Sequence, residues 1–297
     1  MEVMKLNNGV EIPKVGFGVF QITDLAQCER VVSDAISVGY RLFDTASVYG
    51  NECAVGAAIR KSGIPREEFF VTSKAYMPEM GYEKTRSAFE ATLSRLRMDY
   101  LDMYLIHQPF ADYYGAWRAM AELYREGEIR AIGVSNFPAD RIIDLCYNAD
   151  VIPAVNQIEL HPFYQREEEL EILREYNIQP QAWTPFAEGL NGMFTHPVLA
   201  SIAETYGRTV AQVILRWNIQ RGVSVIPKSV HRERMEENFR VWDFSLSNQD
   251  MAWISELDLD RPQMLDTRKP SEVKRVYGFK DNPVITSLNR TETSPCP

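Results

Sequence analysis

The sequence predicts an α/β fold: a closed parallel (β/α)8 TIM barrel with a short N-terminal hairpin and an irregular C-terminal extension. Three observations lead there. Eight short apolar runs recur along the chain, and the segments between them carry apolar residues at i, i+3, i+4 and i+7. Successive runs begin roughly 30 residues apart, the length of a βαβ unit, with one longer interval between the seventh and eighth. Eight such units are what one closed barrel needs, and a doubly wound sheet is the alternative.

The elements can be taken in chain order. Asn8-Gly9, between the short apolar segments of residues 5–12, is the strongest local signal for a hairpin. The strand-like runs are residues 15–20, 40–43, 69–73, 101–106, 130–134, 154–158, 179–183 and 223–226. Helical spacing appears between them in Cys28/Val31/Val32/Ala35, Phe89/Thr92/Leu93/Leu96, Trp117/Met120/Ala121/Tyr124 and Val210/Val213/Ile214/Trp217. No linker or composition break precedes about residue 258, so the chain reads as a single domain. Its barrel covers about residues 5–257 and its extension residues 258–297. That extension is polar and punctuated by proline, and Tyr277 and Phe279 are its aromatic pair, placed to fold over a pocket mouth.

Composition removes several function classes. With 32 Lys+Arg against 41 Asp+Glu, a net charge of -9 and no basic cluster longer than a pair, neither nucleic acid nor a membrane surface is an expected partner. Cys28, Cys53, Cys146 and Cys296 lack C-x-x-C spacing, which argues against a disulfide framework or a cysteine zinc site and fits the cytoplasm. His107, His161, His196 and His231 lack H-x-x-x-H spacing, so no metal is expected, and His161 reads as structural. The first residues hold no apolar core of a signal peptide, and no stretch approaches the roughly 18 residues of a membrane helix.

In a barrel, the residue just after each strand faces the active site. Here those positions are polar: Asp44 followed by Tyr49, Lys74, His107, Ser135-Asn136, Gln157 and Lys228-Ser229. If Asp44, Tyr49, Lys74 and His107 converge, they make a mechanism. A free tyrosine, with pKa ~10, is a poor acid near neutrality, and an ammonium beside it would lower that value. Lys74 would supply the charge, Asp44 would keep the lysine protonated, and His107 would donate to a carbonyl oxygen. The set suits reduction of a carbonyl by hydride from a nicotinamide, with the tyrosine proton going to oxygen.

Asn136 and Gln157 offer matched donors and acceptors for the cofactor's carboxamide. Trp183, at the end of the seventh run, either stacks on the ring or belongs to the core. Residues 226–234 place Lys228, Arg232 and Arg234 at the start of a helix after the eighth strand, the usual phosphate site of this fold. Gly16-Phe17-Gly18 is not a dinucleotide fingerprint, because Gln21 stands where the third glycine is needed. A Schiff-base role for Lys74 is an alternative, but it leaves Asn136, Gln157 and the phosphate cluster without a joint purpose.

The stretches GYRLFDTASVYGNE (39–52), LDMYLIHQP (101–109), IRAIGVSNF (129–137), VNQIELHP (155–162) and IPKSV (226–230) resemble the aldo-keto reductases, specifically the bacterial group with 2,5-diketogluconic acid reductases. The resemblance implies that Asp44, Tyr49, Lys74 and His107 are catalytic, with Tyr49 the general acid, and that the cofactor is NADPH/NADP+. It implies that Ser135, Asn136 and Gln157 hold the carboxamide, with Trp183, Thr184, Pro185 and Phe186 also on the cofactor. Lys228, Ser229, Val230, Arg234, Glu237 and Asn238 would hold the adenosine end, with Lys228 and Arg234 on its 2′-phosphate. Phe20 would wall the substrate pocket with Tyr49 and His107, in place of a tryptophan used by many eukaryotic members. Trp183 stands where many members have tyrosine, and His231 where threonine or arginine is common. The expected partner is a small-molecule carbonyl and the expected state a monomer. A regulatory barrel that binds cofactor without turnover is the alternative function.

Overall fold

Gly9 takes φ 88°, a left-handed conformation that other residues adopt only at a cost, and so turns the chain between β1 (Val3–Lys5) and β2 (Glu11–Pro13). The hairpin then docks. Asn7 and Asn8 donate side-chain amide hydrogens to the carbonyls of Pro153 and Arg130, both at 2.9 Å, while Leu6 and Ile12 bury against Leu42, Phe70, Met103 and Ala154. The hairpin thereby seals the floor of the larger sheet. The structure, a computed structural model, describes residues 2–278; Phe279, half of the C-terminal aromatic pair, lies outside the described residues.

Eight strands run in parallel: β3 (Phe17–Gly18), β4 (Leu42–Asp44), β5 (Phe70–Ala75), β6 (Leu101–Ile106), β7 (Ile129–Ser135), β8 (Val155–Glu159), β9 (Gln179–Trp183) and β10 (Ser224–Val225). Each pairs with its neighbour in sequence, so no strand order reverses as a doubly wound sheet requires. Closure is explicit. Gly16 donates its N–H to Val225 O at 2.8 Å, and Val225 donates to Lys14 O at 2.9 Å beside a parallel bridge between Val15 and Val225. Covered by helices on one side and filled by side chains on the other, β5 and β6 are buried at every residue, which is why they read as runs and not alternations.

The helices are α1 (Leu25–Val38), α2 (Glu52–Lys61), α3 (Tyr82–Leu96), α4 (Tyr113–Glu126), α5 (Ala139–Asn148), α6 (Glu167–Glu175), α7 (Pro197–Tyr206), α8 (Val210–Gln220), α9 (Arg232–Phe239) and α10 (Asn248–Ser255). Cys28, Val31, Val32 and Ala35 are the buried stripe of α1, as their spacing predicts. Side chains fix several starts: Asp24 accepts from Gln27 N, Asp112 from Gly115 N, and Thr209 and Ser247 form capping boxes with Gln212 and Asp250. The long interval before the eighth strand holds α7 and a tightly turned segment, Ala187–Thr195, in addition to α8. At Gly56 a Cβ would lie 2.1 Å from Leu96 O, so α2 can approach the end of α3 only without a side chain there.

The extension departs from the expectation of irregular structure. Residues 258–269 lack helix or strand, but α11 (Pro270–Gly278) then crosses the C-terminal end of the barrel. Val276 is its one buried side chain, packed with Ala46, Val48, Tyr76 and Met77. No helix among the described residues is long and apolar enough to cross a membrane.

Candidate active site

The C-terminal ends of β4, β5 and β6 bring three polar side chains into the barrel mouth, and a 3-10 turn, Ser47–Tyr49, brings the fourth. Lys74 is fully buried and donates to Asp44 Oδ1 at 2.5 Å and to Thr45 O at 2.9 Å. Its Nζ also lies 5.1 Å from the centre of the Tyr49 ring. The Tyr49 hydroxyl faces His107 Nε2 at 3.5 Å, and the ring of Phe20 packs 4.9 Å from that of Tyr49. The four residues do converge.

Their electrostatics differ from the sequence expectation in one respect. Tyr49 is held well above the ordinary tyrosine value, not below it, because burial disfavours the phenolate and the Asp44 charge adds to that. Lys74 is shifted down by burial, with Asp44 and Glu52 opposing the shift. The carboxylate at 2.5 Å neutralises the ammonium that was expected to acidify the phenol. His107 is pushed far down by burial and by the Lys74 charge, so its imidazole is neutral near pH 7. The mouth therefore stores its proton on Tyr49.

Ser135 at the end of β7, Asn136 just after it and Gln157 on β8 lie beside this group. Gln157 donates both amide hydrogens, to Asp44 Oδ2 and Gln181 Oε1 at 2.8 Å each, which leaves its carbonyl oxygen able to accept from a ligand amide. Gln181 passes the chain on to Ser224 Oγ at 3.1 Å, a polar ladder inside the barrel that the sequence does not reveal. Asn136, at φ 62°, donates to His107 O and Ser135 Oγ and accepts from Trp183 Nε1 at 2.9 Å. Trp183 is thus held by its indole at the end of β9, partly buried against the core cluster that contains Leu42 and Ile226, with part of it left accessible. Thr184, at φ 51°, Pro185 and Phe186 continue from it into the turned segment, where Glu188 accepts from Gln21 at 3.2 Å across the mouth.

After β10, Lys228 and Arg234 are exposed and have no ion-pair partner among the described residues. Arg232, by contrast, turns outward to Asp34, Ser37 and Glu236. Ser229 is buried and shapes the turn into α9 by accepting from His231 N at 3.0 Å, with Val230 partly buried beside it. Glu237 accepts from Thr209 Oγ1 at 2.5 Å, and Asn238 is buried. Two uncommitted cations at a helix start are the donor set a phosphate needs, so these residues fit a phosphorylated cofactor.

Two further residues touch the group without any signal in the sequence. The Tyr76 ring stands nearly perpendicular to His107 with ring centres 5.4 Å apart, and its hydroxyl donates to Val276 O at 2.5 Å, tying α11 to the mouth. Glu79, half-buried and with its carboxyl shifted up chiefly by desolvation, accepts from Ser47 Oγ at 2.7 Å and so pins the turn that carries Tyr49. Polar residues at strand ends are visible in a sequence; contacts between loops are not.

A closed parallel barrel with an acid, a buried ion pair, two amides and free cations around its C-terminal mouth defines an oxidoreductase-type site. The chain belongs to the aldo/keto reductase family, whose model it matches over residues 14–259. It is 46% identical over 260 residues to a glyoxal reductase of Bacillus subtilis (strain 168), covering 87% of this chain and 94% of that protein. Among solved structures it resembles an aldo-keto reductase from a Medee basin deep-sea metagenome library, with TM-score 0.87, 39% identity, and coverage of 90% and 98% of the two chains. A Bombyx mori aldo-keto reductase solved in complex with NADP has TM-score 0.85 and 31% identity, covering 92% of this chain and 96% of that one.

Proposed function

We propose that the protein reduces aldehydes or ketones to alcohols with NADPH, and that Tyr49 is the general acid. The carrying observation is the convergence of Tyr49, His107 and the Lys74–Asp44 pair at one end of the barrel. Bound NADPH would supply the hydride. Tyr49 keeps its proton until negative charge develops on the carbonyl oxygen, then transfers it. The neutral His107, with Nε2 aimed at the same point as the phenol, donates to that oxygen and fixes the carbonyl. Lys74 stabilises the tyrosinate left behind, an interaction that strengthens as the proton leaves. Asp44, held in turn by Gln157, keeps the lysine in place.

The remaining acceptor capacity of the Gln157 and Asn136 oxygens is suited to the N–H groups of the carboxamide, Trp183 to the ring and Lys228 and Arg234 to a 2′-phosphate. The motifs support a place in the bacterial group with 2,5-diketogluconic acid reductases, and the B. subtilis relative makes small dicarbonyls the first compounds to try. We read the protein as one functional domain, a cytoplasmic monomer. NADPH oxidation followed at 340 nm over glyoxal, aliphatic and aromatic aldehydes tests the reaction; no turnover with any of them, despite NADPH binding, would favour a regulatory barrel.

A further inference from the structure

Glu159 ends β8 two residues beyond Gln157, and side chains alternate along a strand, so both point to the same side. Its carboxylate is 2% exposed. Such a group is costly to bury unless its oxygens are satisfied, and here three successive backbone N–H groups from more than a hundred residues away do so. Gln263 and Met264 donate to Oε1 at 2.6 and 3.0 Å, and Leu265 to Oε2 at 3.1 Å. His161 Nε2 stands 3.2 Å from Oε1. Among neutral side chains none offers two acceptor oxygens, so only a carboxylate can hold all three in this way.

What is held is a strap with two attachments. Leu265 packs with Tyr76 and Val276, and Arg275 donates to Met264 O at 3.1 Å, which links the strap to α11 on the carbonyl side. On the other side Gln263 Oε1 accepts from Asn191 at 2.7 Å, in the turned segment that continues from Trp183 to Phe186. The strap thus joins the edges of the mouth where substrate and cofactor would sit, and Glu159 is its anchor in the barrel.

We infer that Glu159 is a positioning residue that fixes the strap and, through it, the shape of the carbonyl pocket, so that it selects substrate without touching it. This inference rests on the reductase reading, and amide hydrogen exchange tests it without any turnover. In the wild-type protein the amides of residues 263–265 exchange slowly. In Glu159→Gln, which keeps the shape but replaces one acceptor oxygen by a donor, those amides exchange at least tenfold faster while β8 is unchanged. NADPH affinity stays within twofold. KM for a bulky aromatic aldehyde changes at least threefold with kcat nearly constant, and glyoxal is little affected. Glu159→Asp, which keeps the charge, recovers part of the protection and of the substrate ranking. Unprotected wild-type amides, unchanged exchange in Glu159→Gln, or a parallel loss on all substrates would each overturn the inference. If Glu159→Gln fails to fold, the wild-type exchange and Glu159→Asp decide it. Absence of carbonyl reduction by the wild type would instead remove the reductase reading, with the exchange result still standing.

Discussion

Tyr49 holds its proton in the resting site because its surroundings disfavour the phenolate. Burial and the Asp44 charge hold its pKa up, so the phenol is fully protonated at neutral pH, and Lys74 becomes effective only once charge separates. Tyr49→Phe should therefore cut reduction by at least ~10²–10⁴-fold, the usual contribution of general acid catalysis, while NADPH titration shows unchanged binding. The pH dependence has a definite sign. Since the phenol's value lies above the ordinary ~10, kcat for reduction should show no alkaline decline from Tyr49 below that pH, whereas alcohol oxidation, which needs the phenolate, should rise with pH. An alkaline fall near neutrality would contradict the upward shift. His107 has the opposite displacement: below ~6.5 the unfolded chain takes up a proton that the native imidazole refuses, so stability is lost as pH falls through that region. His107→Asn should flatten the acid side of a plot of Tm against pH. The types of these four residues were legible in the sequence; their protonation was not, because it depends on how deeply Lys74 and Asp44 are buried and on their pairing.

At the level of elements, β6 was legible as an apolar run, the polar-rich β8 and β9 chiefly by their regular interval from it, and α1, α3, α4 and α8 by the repeat of their buried residues. α11 was not, since a helix that buries only Val276 leaves no stripe to find. The polar ladder from Asp44 through Gln157 and Gln181 to Ser224 was likewise hidden, as register between strands is needed to see it. α9 shows what position adds to composition: of the cations after β10, Arg232 is committed to Asp34 and Glu236, while Arg234 remains uncommitted among the described residues. Charge-assisted bonds contribute about 1.5–3 kcal/mol. Arg234→Ala should therefore weaken NADPH roughly tenfold or more and leave NADH nearly unchanged in fluorescence titrations. Equal weakening of both would place Arg234 off the 2′-phosphate.

For the whole molecule, the division is between a barrel that closes on itself and a C-terminal segment laid across its mouth. Truncation before Pro270 removes Val276 and the acceptor of Tyr76, at a cost of about 1.5–3 kcal/mol for one buried aliphatic side chain. The truncated protein should still fold and bind NADPH, with Tm lower by a few degrees. Its kcat/KM should fall unequally between a small and a bulky aldehyde, because Tyr76 beside His107 is freed and the pocket loses a wall. An unchanged ranking with lower Tm would make α11 merely structural.

The hairpin seals the barrel at the end opposite the mouth, and Asn7 and Asn8 fasten it there by hydrogen bonds to two separate strand entrances. That gives the molecule a built-in orientation. A surface or fusion partner attached ahead of β1 would stand the barrel upright with its opening toward the solution. The N-terminal side is thus the natural handle for immobilising this protein or coupling it to a cofactor-regenerating partner.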